Sequence, residues 1–329
     1  MKAIAPGKVI LSGEHSVVYG APAIALAVAN HISADFIADR EARIDIRFAG
    51  AESAALSLSD MAQLPAQLDQ RFESFLQGEL DITRVLQSPF QLLHYVLGLQ
   101  SVAVGGCLTT QSTLPMGAGM GSSAAAIAAT LLIAERLTGT ELSARQRFER
   151  VRFCERLQHG RGSAIDAAAV TLGGFVRVRE GNVEQLDIGL QGEWYRVDTG
   201  SPRVSTGECV QAVREGFAGS AIWNEFADVS DAMIAAMDTS DQLLALIRAN
   251  HRLLQAIGVV PLPVADFIAE IEVAGGAAKV SGAGAHQGDQ GGLVLACLSR
   301  NELAKICARH GYRWTPVEED ASGARIISD

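Results

Sequence analysis

Between a β-rich stretch ending near residue 111 and the alanine-rich run Ser122–Leu137 lies the segment PMGAGMGSSAA, residues 115–125. No other stretch limits the fold so strongly. Its composition predicts a helix over Ser122–Leu137, stopped by Gly139. Gly117, Gly119 and Gly121 remove Cβ atoms where a backbone must approach a ligand closely. A strand that turns through glycines directly into a helix leaves the helix's first N–H groups unpaired, and the helix dipole makes that end attractive to an anion. Ser122 and Ser123 stand at this point, and Ser123 offers a hydroxyl suited to magnesium. Taken alone, the glycine triplet is explained as well by a tight turn with a serine cap and no ligand. A Walker A loop is excluded because no Gly-Lys-Ser/Thr follows. The dinucleotide fingerprint fits poorly: counted from Gly117 its third glycine falls at Ser122, and counted from Gly119 at Ala124. A nicotinamide-dependent dehydrogenase is therefore the weaker reading.

The chain's 329 residues, 48% hydrophobic and 19% charged, suffice for two domains with their own cores. A net charge of −10 argues against a nucleic-acid surface, though not against a phosphate held by a few aimed N–H groups. The five cysteines are scattered without CxxC spacing, so neither a disulfide framework nor a zinc site is expected. No apolar run approaches a membrane span, and Met1–Lys8 lacks a signal-peptide core. The expectation is a cytoplasmic protein with no membrane or nucleic-acid partner.

Alternation and β-branched content predict two extended pieces around Pro6-Gly7 and strands near 31–38, 43–48, 103–111 and 174–178. Residues 142–158 read as a helix ended by Gly160 and Gly162, with a short helix restarting at Ser163. Further on come a strand at 193–198, helices near 206–217, 222–237, 240–256 and 263–273, strands Ala278–Ser281 and Leu293–Leu298, and a helix from Glu302. The class is mixed α+β in two domains, 1–185 and 186–329, divided in a Gly-containing polar stretch.

Two more segments carry chemistry. APGKVILSGEHSVVYG, residues 5–20, brings a lysine, a glutamate and a histidine into one strand-loop unit, and KVSGAG, residues 279–284, is a strand ending in a glycine turn. Singly, Lys8 reads as a solvated charge, His15 as a satisfied histidine and KVSGAG as a simple turn. In this order, the three segments resemble the signature motifs of the GHMP kinase family (galactokinase, homoserine kinase, mevalonate kinase, phosphomevalonate kinase). The first is most similar to the mevalonate kinase subfamily. DTGSPRVSTGECVQAVRE, residues 198–215, and ANHRLLQAIGVVPLP, residues 249–263, are similar to that subfamily as well.

The resemblance implies an N-terminal domain like the second domain of ribosomal protein S5, a ferredoxin-like C-terminal domain, and ATP between them. It implies Asp166 and Lys8 as catalytic residues, and Ser123 and Glu155 as Mg²⁺ ligands. It further implies nucleotide contacts from Ser112, Pro115, Gly117, Ala118, Gly119, Met120, Gly121, Ser122 and Ser123, and acceptor contacts from Glu14, His15 and Thr206. Without it, Ser163-Ala-Ile-Asp166 reads as a capping box. The implied reaction is phosphorylation of mevalonate by ATP; a homodimer stays open. Two departures point elsewhere. HGRGSAID, residues 159–166, places Arg161, Gly162 and Ala164 where the subfamily has Asn, Pro and Gly, closer to phosphomevalonate kinases. SGAGAHQGDQGG, from residue 281, inserts His286 and Asp289 into a glycine run. A phosphomevalonate kinase, another small-molecule kinase of the family, and a non-catalytic ligand-binding relative are the alternatives.

Overall fold

The computed structural model describes residues 1–49, 53–115, 119–237 and 240–327. In chain order the first part comprises β1 (Lys2–Ser12), β2 (Ala23–Ala38), β3 (Arg43–Phe48), β4 (Ser53–Ser57), α1 (Leu58–Leu76), α2 (Pro89–Leu99), β5 (Gly106–Ser112) and α3 (Ser122–Thr138). It continues with α4 (Ala144–His159), α5 (Ala164–Leu172), β6 (Phe175–Arg179) and β7 (Asn182–Leu186). The second part comprises β8 (Trp194–Asp198), α6 (Thr206–Phe217), α7 (Ile222–Ala236), α8 (Ser240–Ala256), α9 (Leu262–Val273), β9 (Ala277–Val280), β10 (Leu293–Cys297), α10 (Arg300–His310), β11 (Arg313–Pro316) and β12 (Arg325–Ile327).

Two sheets result, in the mixed α+β class expected. The larger runs β12-β1-β2-β5-β3-β4, with β6 joining β2 and β7 joining β6; its β3–β5 pair is parallel. The smaller, β11-β8-β10-β9, is antiparallel throughout. The expected division after residue 185 falls at the end of β7, and β12 returns to pair with β1. The two extended pieces expected around Pro6-Gly7 form one strand. Its register with β2 slips there, from Pro6↔His31 to Gly7↔Val28, because proline has no N–H for the ladder.

From Ala5 to Ser12 every residue of β1 is buried. Helices α3 and α5 lie against β1 and β2, and the alanines of α3 let it approach closely on nearly all sides. Buried Glu135 of α3 is held by both Arg147 Nε at 2.8 Å and Nη2 at 2.9 Å. Helix α8 packs against both β9 of the small sheet and β1 of the large one. The buried end of β1 therefore lies where both sheets and the start of α3 meet. Among the described residues no helix is long and apolar enough to cross a membrane.

Candidate active site

The register slip in β1 is followed at once by Lys8, which is 4% exposed. Its backbone N–H donates to Met120 O at 3.0 Å, and its Nζ donates to Gly119 O at 2.6 Å. The same Nζ lies 3.1 Å from Asp166 Oδ1. Gly121 is the N-cap of α3 at φ 72°, a left-handed conformation that calls for glycine, and a Cβ there would sit 3.3 Å from Lys8 Cγ. Asp166 lies in the first turn of α5, where Ser163 Oγ accepts its N–H at 3.1 Å. Only half of the expected capping box forms, because the Asp166 carboxylate lies with Lys8 instead of returning to the Ser163 N–H.

Glu155 comes from α4, eleven residues before Asp166, and is 1% exposed. Its Oε1 accepts from Ser123 Oγ at 3.4 Å, and its Oε2 has no hydrogen-bond partner among the described residues. Burial first, and then the negative charge of Asp166, push its carboxyl well above the usual range. A buried carboxylate oxygen without a donor, beside a serine hydroxyl, suits a cation. Among the described residues no three His, Cys, Asp or Glu side chains converge to hold a metal. A Mg²⁺ at Ser123 and Glu155 would thus take its other ligands from phosphate and water, as this ion commonly does.

A second polar group occupies the turn beyond β1. His15 holds φ 59°, ψ −46°, a conformation that costs a side-chain-bearing residue energy and persists only where neighbours enforce it. Its Nε2 donates to Ala283 O at 2.9 Å, while buried Nδ1 has no partner among the described residues. Burial pushes this imidazole below its ordinary value, so at neutral pH Nδ1 is an acceptor. Glu14 Oε1 accepts from Lys279 Nζ, and buried Glu14 Oε2 is likewise unpartnered among the described residues. Lys279, 0% exposed, opens the KVSGAG segment but was not itself a site candidate, and its partner lies 265 residues away.

The remaining candidates are more peripheral. Thr206 is exposed at the start of α6, which Ser205 caps in a full capping box with Glu208. One turn on, Cys209 Sγ donates to Ala283 O at 3.1 Å, bringing α6 to the carbonyl that His15 also uses. Ser112 and Pro115 are exposed, and the Ser112 hydroxyl closes a local turn with the Leu114 N–H at 3.0 Å. Ser122 is exposed and Ser123 half-buried. Gly117 and Ala118 lie outside the described residues.

Residues 84–174, which span the glycine loop, Glu155 and Asp166, match the family model described as the GHMP kinases N terminal domain. A mevalonate kinase of Thermococcus onnurineus is 31% identical over 325 residues, covering 92% of this chain and 90% of the relative. The chain belongs to the GHMP kinase family. A mevalonate kinase of Pyrococcus furiosus is 29% identical to this GHMP kinase over 319 residues, with 92% and 90% covered. The solved Methanococcus jannaschii mevalonate kinase shares its fold, with a TM-score of 0.80 at 19% identity over 100% of this chain and 98% of that one.

This GHMP kinase departs from its subfamily in two visible places. Arg161 is exposed just beyond Gly160, the C-cap of α4. A Cβ on Gly162 would fall 1.9 Å from the Arg152 carbonyl oxygen, so the close approach of that loop to α4 admits no side chain. In the third motif Asp289 is exposed and His286 half-buried.

Proposed function

We propose that this GHMP kinase transfers the γ-phosphoryl group of ATP to the 5-hydroxyl of mevalonate. The observation that carries the reading is the Lys8–Asp166 pair, 3.1 Å apart beside the start of α3. Phosphoryl transfer asks a protein mainly for in-line positioning, compensation of phosphate charge and a place for the acceptor's proton. The glycine loop and the first N–H groups of α3 would cradle the phosphates. Asp166 would accept the hydroxyl proton or orient the hydroxyl for attack. Lys8, fixed by Gly119 O at 2.6 Å and paired with Asp166, would face the γ-phosphate. Magnesium bound at Ser123 and Glu155 would neutralise β- and γ-phosphate oxygens. Glu14 and His15 would hold the acceptor through the unpartnered Glu14 Oε2 and His15 Nδ1. Residues 1–185 and 186–329 would be the two domains on either side of the cleft, apart from β12, which returns to the first.

Mevalonate is preferred over phosphomevalonate because Arg161, the charged residue among the three departures in HGRGSAID that point toward an extra phosphate, is exposed at a helix end where positive charge is favoured anyway. The names of the curated relatives agree. The test is ADP release with mevalonate, phosphomevalonate, homoserine and galactose, each over a full concentration series. The highest kcat/KM should belong to mevalonate. A higher value with any other acceptor contradicts the proposal.

A further inference from the structure

The third signature segment grips the first. Lys279 Nζ donates to Glu14 Oε1 and to Ile10 O, the latter at 3.2 Å. Two residues on, Ser281 Oγ accepts the Ile10 N–H at 2.8 Å. Two further on, Ala283 O accepts from His15 Nε2 at 2.9 Å. Alternate residues of β9 and its following turn thus hold the end of β1 and the acceptor turn at three successive points. The holding is across the sheets: Lys279 belongs to the small one, and Ile10 to the large one.

We infer that Lys279 is a positioning residue for the phosphoryl acceptor, fixing one oxygen of Glu14 so that the other is presented to an acceptor hydroxyl. A lysine with no exposed surface has lost its hydration and is tolerated only beside a well-placed anion. Glu14 supplies that anion, and the pair leaves the carboxylate one free direction. Glu14 Oε2 is buried and has no donor among the described residues, so an arriving hydroxyl completes its hydrogen bonding. The twisted backbone at His15 is held in the same grip, through Ala283. Lys279 therefore acts on the acceptor through Glu14, and not on the nucleotide, whose proposed cradle is formed by Lys8 and the start of α3.

The inference rests on the acceptor reading above, and the experiment separates the two. Steady-state kinetics are measured for the wild type, Lys279→Met, Glu14→Gln and the double variant, varying mevalonate and Mg·ATP in turn, with melting temperatures alongside. Lys279→Met should raise KM for mevalonate by about tenfold or more while KM for ATP changes by less than about threefold. In the Glu14→Gln background the same substitution should change KM for mevalonate by less than about threefold, because its effect passes through Glu14. A role in stability alone predicts the opposite: both KM values and kcat move together with melting temperature, or the effect is undiminished without Glu14. Either result overturns the inference. If Lys279→Met does not fold, Lys279→Arg, which keeps the charge but moves the donors, carries the test, with KM for mevalonate raised about threefold or more and KM for ATP unchanged; equal changes in the two KM values, or none, overturn it. If the wild type instead turns over another hydroxyl acceptor, the mevalonate reading fails and the same cycle is scored on that acceptor.

Discussion

Replacing Asp166 by asparagine removes a proton acceptor and the negative charge that faces Lys8 and Glu155. The side chain keeps its shape, and the helix cap survives because Ser163 Oγ accepts the backbone N–H of residue 166, at 3.1 Å. Lys8 keeps its bond to Gly119 O at 2.6 Å, which offsets part of the cost of losing its partly exposed Asp166 partner. The catalytic loss is larger. A positioned general base contributes roughly 10²–10⁴-fold, which is about 2.7–5.4 kcal/mol of barrier. Asp166→Asn should therefore lower kcat by about a hundredfold or more. Dissociation constants for a non-hydrolysable ATP analogue and for mevalonate, measured by calorimetry, should stay within about threefold. A variant that keeps kcat within about tenfold of wild type would refute the reasoning and leave Asp166 as a first-turn helix residue in a partly buried ion pair.

Three other substitutions test separate parts of the account. Ser123→Ala should raise the magnesium concentration needed for half-maximal rate more than Ser122→Ala does, because Ser123 faces Glu155 and Ser122 is exposed; the reverse order in a magnesium titration would show that the loop is read in the wrong register. Arg161→Ala should change kcat/KM for mevalonate by less than about tenfold, or 1.4 kcal/mol, and a larger loss would place a charged acceptor group beside it. Asp320→Asn should cost about 2–4 kcal/mol at pH 7, since the 5% exposed carboxylate accepts from His31 at 2.5 Å and from Arg325 at 2.9 Å. Burial alone would raise its pKa, but these bonds and the Ser322 N–H outweigh burial and bring it below the ordinary 3.8. Its contribution is thus complete above that value and lost as pH falls through the lower folded one, so urea unfolding should show the gap between wild type and variant narrowing steadily as pH falls below 3.8. A gap that does not narrow on acidification would contradict the assignment.

The parts of the fold that could be read from the chain are those governed by local rules. Alanine content and Gly139 mark α3, and serine caps with glycine stops mark α4 and α5. Glu155 and Asp166 could be picked out through the family resemblance, which their eleven-residue separation matches; on the residues alone Asp166 reads as part of a helix cap. Helix α1 carried a usable signal in Met61, Leu64, Leu68 and Phe72 on one buried face, with Ser57 as cap, but Pro65 interrupts the run. Strands β4, β7, β11 and β12 are at most five residues long, and such pieces are defined by their partners more than by their own pattern. Glu14 and His15 were legible as a motif. The grip of Lys279 on Glu14 was not, because nothing local in AAKV indicates full burial or names a partner at the far end of the chain.

Transfer of labelled phosphate tests the central claim most directly. The protein is mixed with γ-labelled ATP, Mg²⁺ and mevalonate, and the products are resolved by phosphorus NMR and mass spectrometry. The account predicts one labelled product, mevalonate carrying a single phosphoryl group on its 5-oxygen, formed in step with ADP and reduced about a hundredfold or more in rate by Asp166→Asn. Label released only as inorganic phosphate, or transferred to phosphomevalonate in preference to mevalonate, would contradict it.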